Sequence, residues 1–430
     1  MTSTTLIPHN LDQPTPVSDL RRDTLQANPY DGGFWLIYLA NFLLVTANAL
    51  TFRFADFVVH LGGTVGTAGM IVGFGTGGSI VLRLLMGRSI DRCGPRPIWL
   101  ASAALFVAAN VAFVPLGTLG PAIYIARLLF TVGLAGMFTC AFVYVCAGVP
   151  IARRAEVIGI LGTSGFLGML LGPVIGDVLF NHIPAGFGQF AVLFSLTAAL
   201  GLAHLAIVWL VVRPARAVRP AAAQSAVRLF ARYWPGALVV VALVMGVVAT
   251  VPSTFLTRFA VERKLSGIGF YFAAFALMAA MVRVVGRNFP ERIGRQNALL
   301  IGLVGMTVSM LCYAEVHRDW QLVVPGLLAG IGHGLLFPCA VSLGADAFPD
   351  EHRGTAMTLV MGFMDLGMLL GAPALGLVVD RWGFVMMFLA AATLLCLTGV
   401  YYATSRLLRR RALDAAAEVP GAMGSLSPLA

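Results

Sequence analysis

Charge is scarce in this chain: 19 Asp and Glu and 29 Lys and Arg stand among 430 residues, so only 11% are charged. A composition that is 59% hydrophobic cannot be hidden inside a water-soluble domain, so the main solvent is lipid. Paired cysteines are missing as well. Cys93 sits in a charged turn, and Cys140, Cys146, Cys312, Cys339 and Cys396 are scattered through apolar runs without CxxC spacing, which excludes a cysteine metal centre or redox pair. No GxxxxGK[ST] loop and no HExxH helix occurs, so nucleotide-driven pumping and membrane hydrolysis have no residues to carry them. No enzyme activity, cofactor or metal is expected. The first thirty or so residues hold Asp12, Asp19 and Asp23 where a leader would need a basic start and an apolar run, so no cleaved leader is expected.

What is present is a succession of apolar runs, each of roughly the twenty residues that span a bilayer, from Phe34 to Ser405. About twelve spans are predicted, the second at 64–86 and the last at 383–405. The basic residues sort by loop: Arg88, Arg92, Arg96, Arg153, Arg154, the stretch from Arg213 to Arg232, Arg292, Arg295 and Arg406 to Arg411 fall on one side. That asymmetry places both termini in the cytoplasm of a cell whose inner membrane holds the chain. It also accounts for the net charge of +10, so no nucleic-acid partner is expected.

A repeat organises the rest. VLRLLMGRSIDRCGPR from Val81 to Arg96 returns as MVRVVGRNFPERIGR from Met281 to Arg295, with Arg83 matching Arg283, Asp91 matching Glu291, Arg92 matching Arg292 and Gly94 matching Gly294. Arg53-Phe54-Ala55 returns at Arg258-Phe259-Ala260, and LGMLLG occurs at both Leu167 and Leu366. The constant offset near two hundred predicts an all-α integral membrane protein of two pseudo-symmetric six-helix bundles, with any site between them. The expected divisions are a mobile terminus over 1–32, bundles over 33–212 and 236–405, a basic linker lying on the membrane over 213–235, and a tail over 406–430.

Polar groups inside apolar runs are the candidate site residues, because lipid does not tolerate them. Asn41 and Asn48 share one face of the first helix with Asp56 close to it, Arg127 lies early in the fourth helix, and Asp177 ends the fifth. His333 and Asp365 break the repeat, since Leu134 and Phe166 stand at the matching places. A mid-span acid or imidazole is poised to exchange a proton as a cavity alternates between wet and closed. Packing within the protein is the alternative for each. Arg83, Arg283, Arg53 and Arg258 lie near helix ends, where their long side chains reach the interface as readily as the interior.

The segment Gly87-Arg88-Ser89-Ile90-Asp91-Arg92-Cys93-Gly94-Pro95-Arg96 resembles the loop motif between helices two and three of the major facilitator superfamily of transporters. Gly159, Gly168, Gly172-Pro173 and Gly176 resemble the helix-five motif of its drug-proton antiporter branch, with Asp177 where a glycine is usual. Arg127 with Gly133 is similar to that branch's helix-four motif. The resemblance implies secondary active transport by alternating access, with a small-molecule substrate, protons as coupling ion, the lipid bilayer as surroundings and a monomer as the working unit. It also implies that Gly87, Asp91, Arg92, Gly94 and Arg96, with Glu291, Arg292 and Gly294 in the second copy, latch the halves. Gly159, Gly168, Gly172, Pro173 and Gly176 would pack and bend helix five. Export of a small organic molecule against protons, proton-coupled import of a small metabolite, and a non-transporting sensor or scaffold remain the readings.

Overall fold

The structure, a computed structural model, describes residues 30–147, 149, 151–212, 232–286, 288–349 and 353–417. They form helices and short connections, with no strand among them. In lipid the backbone must bond to itself, and a helix does this within one segment. The order is α1 (Gly32–His60), α2 (Val65–Cys93), α3 (Pro95–Phe113), α4 (Pro121–Ala147), α5 (Ile151–His182), α6 (Phe187–Val211), α7 (Leu238–Glu262), α8 (Gly269–Val284), α9 (Arg295–Cys312) and α10 (Val323–Asp346). The run Arg353–Ala417 breaks at Gly383, φ 81°, into α11 (353–382) and α12 (384–417). Nine stretches of the described residues are long and apolar enough to cross a membrane, Leu359–Arg411 holding both α11 and α12. The apolar parts of α2 and α8, Val65–Val81 and Gly269–Val284, are shorter.

Helix ends follow local chemistry. Asp31 caps α1 by accepting the Phe34 N–H at 2.8 Å. Pro95 and Pro121 open α3 and α4, where a missing N–H costs nothing. The charged turn expected around Cys93 is shorter than its composition suggests, because α2 stays helical through Cys93 and only Gly94 turns the chain. Gly94 and its repeat partner Gly294 have φ of 79° and 86°, a conformation that glycine adopts without steric cost. α12 likewise runs past the expected 405 to Ala417, since nothing in its arginine-rich end breaks a helix. Residues 1–29, most of the linker (213–231) and 418–430 lie outside the described residues.

Buried apolar side chains fall into two large sets. One draws on 34–212 and reaches the other half only at Ala372; the second draws on 238–402 and takes in Ala49, Phe52 and Phe166. Large apolar side chains also cover the outside, Leu210 being 80% exposed, as lipid contact requires. Within the first bundle, buried His204 of α6 ties three helices together. It accepts the Trp99 indole N–H at 3.0 Å and donates to the Ala40 carbonyl at 2.8 Å. The bundles meet along α2 with α11 and α5 with α8.

Small residues permit these close approaches. On α5, an added Cβ at Gly168 or Gly172 would come within 2.7 Å of Val45 or 2.6 Å of Ala49 on α1. Gly176 instead faces Arg53. Gly159 departs from the expected packing role, having nothing within 4 Å of an added Cβ. It shares the stripe of Gly162 and Phe166, which turns toward the second bundle rather than toward α1. Gly172→Val is therefore expected to lower stability by roughly 1–3 kcal/mol through overpacking. Gly159→Ala should leave the melting temperature of the purified protein unchanged or slightly raised, and equal losses for the two would contradict this packing.

Candidate functional site

Two helices lose their regularity at or shortly before an arginine. α1 tightens to a 3-10 turn over Thr51–Arg53, and α7 widens to a π turn over Val251–Phe255, where Pro252 supplies no N–H. The two segments touch across the seam, the hydroxyl of Thr257, just after the π turn, donating to the Phe52 carbonyl at 3.4 Å. Both arginines are thereby brought to the face of the bundle remote from the first helix start and the last helix end, hereafter the far face.

There Arg53 donates to Asp177 at 2.6 Å and to Asp56 at 3.4 Å, while Arg258 donates to the other Asp56 oxygen at 3.4 Å. The Arg53 guanidinium also lies 4.2 Å from the Phe180 ring centroid. Asp56 is 6% exposed. Two carboxylates and two guanidinium groups give a cluster without net charge, which is how buried charge is tolerated. The second oxygen of Asp177 accepts the Ile268 and Gly269 N–H groups, at 2.8 and 2.6 Å, capping α8 from the other bundle. Asn181 donates to the Ser266 carbonyl beside it at 3.1 Å.

The α2–α11 seam repeats this device. Asp380, at the far end of α11, accepts the Thr64 hydroxyl at 2.6 Å and the Gly66 N–H at 3.0 Å, capping α2. Each bundle thus ends one helix in a carboxylate that caps a helix of the other.

Deeper in the molecule, His333 of α10 stacks on Phe337 and faces Phe275, ring centroids 5.5 Å away in each case. Arg283 of α8 does not turn out to the interface. Its guanidinium lies 4.6 Å from the Phe166 ring of α5 and 5.6 Å from Phe337, and 3.5 Å from where a Cβ on Gly162 would stand. Asp365 is half-buried on α11. Arg127 lies between Phe54 and Phe130, 4.6 and 4.7 Å from their centroids, with buried Nε and Nη1 atoms that meet no acceptor. Asn41 donates to the Ser164 hydroxyl at 2.7 Å, joining α1 to α5. Asn48 is half-buried, and its carbonyl accepts the Thr51 hydroxyl at 2.7 Å.

The structure therefore gathers Asp56 and Asp177 into one charged cluster and sets His333 among aromatic rings beside Arg283. Asn41 is spent on helix packing rather than on a cavity. Arg127 belongs to the interior of the first bundle. The pairing of Arg53 and Arg258 with acids, the inward reach of Arg283 and the cap at Asp380 escape a reading of the sequence alone. Their one signal is charge inside or beside an apolar run.

On the opposite face only part of the expected latch lies among the described residues. Arg96 donates to the Trp209 carbonyl at 3.4 Å, within its own bundle. Glu291 and Arg292 are exposed on a short helix, Phe289–Ile293. Arg295 pairs with Asp346 at 2.7 Å and donates to Ser342, again within one bundle. Gly87, Asp91 and Arg92 lie outside the residues whose side chains are described. The described bonds that cross between bundles are those of the far face. No group of three or more His, Cys, Asp or Glu among the described residues is placed to hold a metal.

Comparison with known proteins accords with this architecture. The chain is 24% identical over 340 residues to the MFS-type transporter YhhS of Escherichia coli (strain K12), covering 77% of this chain and 81% of the relative. The D-xylose-proton symporter structure superposes with a TM-score of 0.69 at 16% identity, over 86% of this chain and 96% of that one. A mutant of the nucleoside transporter NupG superposes with a TM-score of 0.70 at 14% identity, over 87% of this chain and 99% of that one. The family model of the Major Facilitator Superfamily matches residues 33–314 and 265–428. With two six-helix bundles sealed together at one face, the chain belongs to the Major Facilitator Superfamily, as a multi-pass membrane transporter of that type.

Proposed function

We propose that the protein is a secondary active transporter of the inner membrane that exports a small organic molecule in exchange for protons by alternating access. The observation that carries the reading is the sealed far face. Carboxylates capping helices of the opposite bundle form a closure that can be exchanged for water without unfolding either bundle. With both chain ends in the cytoplasm, as the sorted arginines favour, the far face looks outward. Export finds its support in the helix-four and helix-five residues Arg127, Gly168, Gly172 and Pro173, which resemble the antiporter branch. Proton coupling finds its support in Asp365 and His333, which the repeat does not require and which stand within their helices.

Two outcomes check this reading. In proteoliposomes, a pH gradient is expected to drive flux through the wild type. Asp365→Asn is expected to abolish that drive while leaving substrate counterflow, and His333→Gln to alter its pH dependence. Undiminished pH-driven flux through Asp365→Asn would place the coupling proton elsewhere, with Asp56 or Asp177 the next carboxylates to test.

The far-face cluster is checked by stability. Asp56→Ala leaves Arg258 without its carboxylate and Arg53 with Asp177 alone, and is expected to cost roughly 1–3 kcal/mol, read as a lowered melting temperature in detergent. An unchanged melting temperature would mean that water already screens the cluster.

A further inference from the structure

The far-face seam uses carboxylates and guanidinium groups together. Asp56, Asp177 and Asp380 are committed to the seam. Arg283 makes no ion pair among the described residues, and its buried Nε has no acceptor. Its Cα lies near the end of α8, yet helical side chains lean back toward the helix start. Phe166, which it covers, is eleven residues before Asp177 on α5, roughly 16 Å in from the far-face cluster at 1.5 Å per residue. The guanidinium is therefore held near mid-membrane, between Phe166 of one bundle and Phe337 of its own. Desolvated positive charge at that depth calls for an anion.

The surroundings say what kind of anion fits. Phe166 and Phe337 flank the guanidinium, and Phe275 and Phe337 flank His333, whose ring is half-buried and contributes a second polar group. Gly162 leaves the α5 wall without a side chain opposite the guanidinium. A planar fork of N–H donors suits a carboxylate, and phenyl faces suit a flat apolar body. Resting on the transport reading above, we propose that Arg283 and His333, framed by Phe166, Phe275 and Phe337, bind the carboxylate end of a small aromatic or apolar organic acid as the transported substrate.

Purified full-length protein would be titrated with benzoate, 3-phenylpropionate and 4-phenylbutyrate, with the amide of each, and with benzylamine, by calorimetry and thermal shift. At least one acid is expected to bind tenfold or more tighter than its amide, with benzylamine weaker than either. Arg283→Gln should erase that preference while still eluting as a folded protein. Arg283→Lys, which keeps the charge but not the planar fork, should retain binding weakened severalfold, and it serves should the glutamine variant fail to fold. His333→Gln should weaken the acids more than the amides.

Binding of none of the acids, equal binding of acids and amides, preference for the amine, or an acid preference surviving in a folded Arg283 variant that lacks the charge would each overturn the site. Counterflow of the bound acid in proteoliposomes separates the two proposals. Arg283-dependent acid binding without counterflow overturns transport and leaves the site standing, whereas flux of an uncharged compound without acid binding does the reverse.

Discussion

Asp177 and Asp380 each end a helix in one bundle and accept N–H groups from the first turn of a helix in the other. Those N–H groups have no partner within their own helices, and in a membrane protein they cannot be left dry without cost. The closure thus uses donors that every helix start must satisfy somehow. A contact built from obligatory groups can be swapped for water at little net free energy, which a large apolar seam could not do. Beside these caps, Ala49, Phe52, Phe166 and Ala372 are the buried apolar side chains that cross between the two cores among the described residues.

The irregular turns of α1 and α7 follow from the same need. An unbroken helix would carry Arg53 and Arg258 at a fixed angle. Tightening one helix and widening the other lets both guanidinium groups converge on Asp56. The 3-10 turn ends on Arg53 whereas the π turn ends three residues before the matching Arg258, so the doubled chain has diverged in local geometry while conserving the charge. Divergence has gone further at mid-membrane. Phe166 stands where the other half has Asp365, and it meets Arg283 with a ring face instead of a carboxylate.

Helices, the doubling and the turning glycines were legible in the sequence because each is written locally: in length of apolar runs, in repeated residues, and in Gly94 and Gly294 placed after a charged helix end. Intramembrane charge was legible too, which is why Asp56, Asp177 and Arg127 stood out. Which charges meet was not. Arg53 and Asp177 are 124 residues apart and Arg258 and Asp56 are 202 apart, and no periodicity within a helix reports the rotation of one helix against another. Asn41 was read as facing protein or cavity; only the neighbouring helix, bringing Ser164, decides between them. Gly159 illustrates the converse, since its spacing matched a motif while its face of the helix did not.

The two capping carboxylates are not level. Asp177 comes five residues after Gly172, whereas Asp380 comes nine after the matching Gly371, one helical turn farther out. Asp380 is exposed accordingly, while the Asp177 side chain is 14% exposed. Dissolved ions reach the first and are kept from the second. Water and dissolved ions therefore meet the cap on the α2–α11 flank and are shut out from the cap on the α5–α8 flank, so one face carries one wet fastening and one dry one.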